Sequence, residues 1–171
     1  MRVRYVNYVY GVVAVLALAV FVLMVVPAAS RVTLSATVVT PKSIDEAFAY
    51  MADFTTTNEW DPATVETVKV HGDGGLGTQY RNTTEFNGNQ TQLLYTVTDY
   101  RPNDRIELRA ENKTLFAVDT MTFRRTSNGT QVTYTAQFTF KGFYKLVSPF
   151  LRPAFGKLQS GAERGLADAL R

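Results

Sequence analysis

The chain has 171 residues, with 18 Lys and Arg against 15 Asp and Glu, no cysteine and one histidine. Without cysteine there is no disulfide scaffold, thiol nucleophile or thiolate-held metal, and with His71 alone multi-histidine metal centres and most Ser-His-Asp chemistry are excluded. The small net charge and the lack of a Lys/Arg run leave no electrostatic footprint for nucleic acid, so no nucleic-acid partner, metal or cofactor is expected.

Residues 1–30 are unlike the rest, carrying Arg2 and Arg4 and then no charge from Tyr5 through Ser30. Val9 to Val26 is apolar apart from Tyr10 and Gly11, and as a helix it spans about 27 Å, close to the thickness of a bilayer's hydrocarbon core. Tyr5, Tyr8 and Tyr10 suit an interfacial belt. Residues 1–30 are therefore expected to be a transmembrane segment and residues 31–171 a separate domain. Two readings fit the segment: a signal-anchor that stays in the membrane, or a secretory signal cut near Val26-Pro27-Ala28. The length of the run favours the anchor. With Arg2, Arg4 and the amino terminus inside, the domain is expected outside the cytoplasm on a single-pass tether, or secreted if the segment is cleaved. Asn82, Asn89, Asn112 and Asn128 each head an N-x-T sequon, which fits an exported surface. Threonine-rich strands produce the same pattern, and Asn82 falls on an inward-facing strand position.

Arg31 to Thr40 alternates Val32, Leu34, Ala36 and Val38 and predicts a strand that Pro41 ends. Ser43 and Glu46 form a capping box, and Ile44, Ala47, Phe48 and Met51 recur at helical spacing, giving a helix to about Asp53. Pro62 keeps any second helix around Trp60 short. Six further strands follow: Val65–His71, Thr78–Phe86, Gln92–Tyr100, Arg105–Ala110, Leu115–Arg125 and Gln131–Phe140. Asn87-Gly88 and Asn128-Gly129 between alternating runs are strong hairpin signals, and Gly72–Gly77 reads as a flexible turn at the mouth of whatever the sheet encloses. Ser148-Pro149 reads as N-cap and N1 of a last helix, which carries an apolar stripe through Leu151, Phe155, Leu158, Ala162, Leu166 and Ala169.

The order strand, two helices, six-strand meander, long C-terminal helix is the helix-grip arrangement. The segments Asp53-Phe54…Trp60-Asp61-Pro62, Gly75 to Tyr80, Tyr95 to Pro102 and Phe123…Asn128 to Val132 together resemble the START-like (SRPBCC) superfamily, within it the polyketide cyclase/dehydrase and lipid transport group, over roughly residues 31–171. The resemblance implies an α+β fold, a curved seven-stranded antiparallel sheet around the last helix. It leaves activity open, because the family holds carriers, receptors and cyclases.

Strand alternation puts Tyr80, Asn82, Thr84, Tyr95, Asp119, Met121, Phe123, Tyr134 and Phe138 on the inner face, a mostly apolar surface with scattered hydroxyls. The candidate ligand-binding residues are Trp60, Tyr80, Thr84, Tyr95, Asp119, Met121, Tyr134 and Phe138. An inward carboxyl at Asp119 is desolvated, which raises its pKa and suits a ligand hydroxyl or proton transfer. A structural ion pair or capping role is the stronger reading for Asp119 taken alone, and protein partners the stronger one for the tyrosines. Trp60 either lines the entrance or caps the core, and His71 reads as an exposed edge residue. A binding or carrier domain for a hydrophobic small molecule is favoured, because a single inner carboxylate is identifiable and no histidine faces in. The alternative is a cyclase or dehydratase using Asp119 and Tyr134. Charge is also uneven: residues 124–171 hold eight basic and two acidic groups, and residues 42–123 seven basic and thirteen acidic. That asymmetry fits a basic face turned toward anionic headgroups, or simply the solvated face of the last helix.

Overall fold

The computed structural model describes residues 31–86 and 88–171, the backbone alone over 146–154, and Tyr10, residues 12–17 and Val20, which are helical. The expected membrane run Val9–Val26 thus lies largely outside the described residues. Among those described, no helix is long and apolar enough to cross a membrane.

The elements in chain order are β1 (Arg31–Thr40), α1 (Ile44–Ala52), a 3-10 turn (Phe54–Thr56), α2 (Thr57–Trp60), β2 (Thr64–His71), β3 (Gln79–Phe86), β4 (Asn89–Arg101), β5 (Arg105–Glu111), β6 (Leu115–Thr126), β7 (Gly129–Phe140) and α3 (Tyr144–Ala169). One seven-stranded sheet runs β1-β7-β6-β5-β4-β3-β2, antiparallel throughout. The capping box forms as the sequence predicts: the Ser43 amide donates to Glu46 at 2.9 Å, and the Glu46 amide donates to the Ser43 hydroxyl at 3.3 Å. Gly129 sits at φ 121°, and a Cβ there would lie 2.1 Å from the Thr40 carbonyl oxygen, so the β6–β7 turn and the end of β1 close only around glycine.

The last helix begins at Tyr144, four residues ahead of the predicted Ser148 cap. The turn Lys141–Tyr144 nucleates it, with the Tyr144 and Lys145 amides donating to Lys141 and Gly142 at 3.1 and 3.3 Å. Pro149 is thus the sixth residue of the helix, past the four amides that need no intrahelical acceptor, and forfeits one hydrogen bond inside the helix without marking its start.

Burial alternates along β6 and β7, and every residue of the core cluster lies between Leu34 and Leu170. Among the described residues, the core cluster thus lies wholly within residues 31–171. The C-terminal half of α3 closes on the rest of the domain. A Cβ on Gly161 would meet Pro62 Cγ at 2.6 Å, and one on Gly165 would meet the Trp60 carbonyl oxygen at 2.0 Å. Thr40 adds a hydrogen bond from its hydroxyl to the Leu170 carbonyl. Nearer the start of the helix a Cβ on Gly156 would meet nothing within 4 Å, and Phe155 and Leu158 line a cavity. The pairings Phe86–Asn89, Leu115–Phe140 and Arg31–Thr139 put the β3–β4 turn, the β5–β6 turn and the start of β1 at this same end.

Candidate functional site

A cavity of about 400 Å³ lies between the inner face of the sheet and α3. Its outer end is rimmed by Phe86, Leu115, Phe140 and Tyr144, and its walls there are aromatic. The Phe155 ring lies 5.8 Å from Phe86, 5.6 Å from Phe138 and 6.5 Å from Phe140, centroid to centroid. Its closed end is formed by Phe54, Leu93, Tyr95, Asp119, Tyr134 and Ala136, with Asp61 and Asn82 on one wall.

Asp119 lies on β6 between Ala117 and Met121, opposite Leu108 on β5 and Ala136 on β7, and is 3% exposed. The Tyr134 hydroxyl donates to its Oδ2 at 2.9 Å. Its Oδ1 is buried and has no hydrogen-bond partner among the described residues. Burial pushes the Asp119 carboxyl up to about 7. The hydrogen bond from Tyr134 opposes that rise, the charge of Asp61 adds to it, and the neighbouring Tyr95 hydroxyl opposes it again. Burial raises both tyrosines well above the usual phenol value, and the Asp119 charge raises them further. The phenols therefore stay protonated and serve as donors.

Asp61 follows α2 and contributes a second carboxyl to the cavity wall. Its Oδ1 accepts from the Ala63 amide at 3.0 Å and its Oδ2 from the Thr64 hydroxyl at 2.8 Å. Burial raises its pKa against those two hydrogen bonds. Asn82 is tied down by protein: its Nδ2 donates to Thr67 at 2.7 Å, whose hydroxyl pairs with Thr57 at 2.7 Å, and Thr57 donates to the Phe54 carbonyl at 2.8 Å. That chain is fully satisfied and fixes the wall. At 4% exposure, Asn82 lies inside, as the strand alternation predicts. Among the described residues, no group of His, Asp or Glu side chains is arranged to hold a metal ion.

Of the residues singled out from sequence, Thr84, Tyr95, Asp119, Tyr134 and Phe138 meet on the cavity wall. Trp60, Tyr80 and Met121 are buried but stand outside its lining. Trp60 lies behind Tyr134, ring edge to ring face at 4.8 Å, and α3 covers it through Gly165. It is a core residue and not part of an entrance. Tyr80 packs edge-on against Phe54 at 5.7 Å, and Met121 sits opposite Tyr134 within the sheet. Alternation identifies the face of a strand but not the stretch of that face which the helix leaves uncovered. The Gly72–Gly77 turn is corrected as well. It abuts Val97, with the Gly77 amide donating to the Val97 carbonyl at 2.9 Å, a full β3 length from the rim at Phe86. Sequence reasoning passed over Asp61, Phe54 and Phe155 as site residues. For Asp61 the one signal was its place in Trp60-Asp61-Pro62, since a loop residue has no period to betray its direction.

A curved antiparallel sheet gripping a C-terminal helix, with an apolar cavity ending on a buried carboxyl, defines a helix-grip domain with a ligand-sized interior. The chain belongs to the polyketide cyclase / dehydrase and lipid transport family, whose model matches residues 31–171. None of the curated proteins matches the chain in sequence. Among solved structures it is similar to the Zhui aromatase/cyclase from Streptomyces sp. R1128, with TM-score 0.68 and 13% identity over 82% of this chain and 93% of that one. It is similar to TTHA0849 from Thermus thermophilus, with TM-score 0.67 and 16% identity over 81% and 97%. It is also similar to the di-domain aromatase/cyclase StfQ from the steffimycin biosynthetic pathway, with TM-score 0.63 and 18% identity over 84% of this chain and 51% of that one. At such identities the likeness is one of fold.

Proposed function

We propose that the protein is a membrane-tethered binding or carrier domain that holds a hydrophobic small molecule, lipid-like or polycyclic, between its sheet and α3. The observation that carries this reading is the cavity itself: about 400 Å³, walled largely by Leu, Phe and Tyr, with Asp61, Asn82 and Asp119 toward its closed end and Glu85, Asn89, Thr91 and Thr114 around its rim. Spaces of that size hold small ligands. Apolar area buried in them is worth ~25 cal/mol per Å², so the walls supply affinity while the few polar groups set orientation.

The tether in this reading is the run Val9–Val26, with the domain on the extracytoplasmic side. Its support is positional. β1 starts at Arg31 beside Thr139, at the rim end of the cavity, and Phe143 and Tyr144 expose their rings there, at 72% and 50%. A chain leaving a bilayer just before Arg31 holds the rim near the lipid surface, a geometry suited to exchanging an apolar ligand. Two measurements test the reading. The full chain is expected to stay with membranes through alkaline carbonate extraction, and native mass spectrometry of residues 31–171 is expected to show a co-purifying apolar molecule. An extractable full chain refutes the tether. A domain that carries nothing and takes up no apolar fluorescent probe refutes the carrier.

The second reading is acid–base catalysis of cyclase or dehydratase type, and one observation favours it: Asp61 joins Asp119 in the same cavity, and its charge helps to raise the Asp119 pKa. A carboxyl near 7 both gives and takes protons at neutral pH, and the Tyr134 phenol beside it is a donor. Loss of water from a β-hydroxyketone probe, abolished by Asp119→Asn, supports this reading. No turnover by the folded wild type removes it.

A further inference from the structure

We infer that the cavity selects its ligand by charge: it takes an amphiphilic amine, bound with the ammonium at Asp119 and the apolar chain toward the aromatic rim, and disfavours fatty acids and other anions. The inference rests on the carrier reading above and specifies its ligand class.

The lining is one-sided in charge. Among the described residues it contains the carboxyl groups of Asp61, Glu85 and Asp119 and no lysine, arginine or histidine. The polar functions at the closed end are mostly committed to each other. Tyr134 donates its hydrogen bond to Asp119 Oδ2, and Asp61 is occupied by Ala63 and Thr64. What remains is Asp119 Oδ1, an acceptor buried on the cavity wall without a hydrogen bond of ordinary geometry among the described residues, although the Tyr95 hydroxyl stands close enough to favour the ionised carboxyl. An acceptor shut away from water without a donor is costly, and a ligand N–H removes that cost. Toward the opposite end, the cluster in which Phe155 meets Phe86, Phe138 and Phe140 offers ring surface to a hydrocarbon chain. Glu85 is exposed at the rim, where its charge attracts a cation inward and repels an anion.

The groups facing Asp119 are Tyr134 from β7, Tyr95 from β4 and Asp61 from the segment after α2. All are acids, so any positive charge beside Asp119 comes with the ligand. When an ammonium arrives, one of its N–H groups donates to Oδ1, the Asp119 carboxyl ionises and its proton leaves to solvent. A carboxylate ligand meets the reverse situation and enters only with a proton of its own.

Isothermal titration calorimetry of residues 31–171 with decylammonium, 1-decanol and decanoate, each below its aggregation limit, tests this. At about pH 8 the amine is expected to bind roughly tenfold or more tighter than the alcohol, with decanoate weakest. Below about pH 6 the amine's affinity is expected to fall roughly tenfold per pH unit, with measurable proton release, because Asp119 must then give up its proton. Asp119→Asn is expected to erase both the preference for the amine over the alcohol and the pH slope. Decanoate binding as tightly as the amine, or a wild-type amine affinity flat with pH, overturns the inference. Alcohol binding without an amine preference overturns it while leaving the carrier reading intact, and failure of all three probes to bind overturns both.

Discussion

Replacing Asp119 by asparagine is expected to make the domain more stable at neutral pH, and the gain follows from the site's geometry. In the unfolded chain this carboxyl titrates near ~3.9, whereas burial in the folded domain raises it to about 7. Between those values the native state holds a proton that the unfolded state has lost, so stability falls as pH rises through the window and the full penalty is present above about 7. A difference of about three pH units corresponds to roughly 4 kcal/mol. Asparagine has nearly the same shape and no charge, and its carbonyl oxygen still accepts from Tyr134. The help that Tyr134 gives the charge is already contained in the value of about 7, but the amide N–H group of asparagine takes the place of the unpartnered Oδ1, which costs ~1 kcal/mol.

The expected net gain for Asp119→Asn is therefore roughly 3 kcal/mol at about pH 8, or about 10 °C in Tm for a domain of this size. Near pH ~4.5 it shrinks toward zero, because the wild-type carboxyl is then neutral as well. Urea melts of residues 31–171 across this range, wild type against variant, read the difference directly. Asp61 titrates with the same sign and is common to both proteins, so the difference between the two curves isolates Asp119. Parallel curves, or a variant less stable at every pH, refute the buried-carboxyl account of this site.

Gly165→Ala sets a Cβ 2.0 Å from the Trp60 carbonyl oxygen, a backbone atom, and should lower stability by roughly 1–3 kcal/mol or more in urea melts of unchanged slope. Gly156→Ala, on the same helix with nothing within 4 Å, should raise it by ~0.5–1 kcal/mol. Tyr134→Phe removes the hydrogen bond that holds the ionised carboxyl, so the Asp119 titration followed by carboxyl-carbon NMR should move above about 7. Phe138→Trp narrows the cavity beside Phe155 and should weaken uptake of an apolar fluorescent probe while the fold is kept. The basic charge of residues 124–171 predicts that residues 31–171 bind anionic vesicles at low salt and leave them at high salt; equal, salt-insensitive binding to neutral vesicles removes the orienting role of that face.

Much of the fold was legible because local rules determine it. Alternation marked β6 and β7, the Asn128-Gly129 pair marked their turn, and Ser43 and Glu46 marked the start of α1. The start of α3 was misplaced because Ser148-Pro149 imitates a helix entrance, while the helix proper grows out of the turn at Lys141. The inward direction of Asp119 was legible from its register with Met121 and Phe123. Whether it met core or cavity was not, since that depends on how closely α3 approaches. The approach is fixed by glycines at 161 and 165 meeting Pro62 and Trp60, residues about a hundred positions earlier in the chain. Asp61 escaped for a related reason: a residue between a short helix and a strand follows neither the helical nor the strand period.

The two ends of α3 bear on why a destabilising carboxyl sits where it does. The end that carries Gly161 and Gly165 is in backbone-level contact with the Trp60–Pro62 segment, and there the interior is filled. Asp119 lies at the border of that filled region and the open one, close enough to the packing to be desolvated and close enough to the cavity to line it. If its task were structural, it would be a poor choice: asparagine would satisfy Tyr134 as well, and an aliphatic residue would leave no orphaned oxygen. A domain with a net stability of roughly 5–15 kcal/mol does not carry a penalty of ~4 kcal/mol lightly. What distinguishes aspartate from both replacements is a charge that appears only when something in the cavity stabilises it. The side chain that weakens the empty domain at neutral pH is thus the one best placed to sense its occupant, and loss of the stability penalty on ligand binding is the physical link between the two.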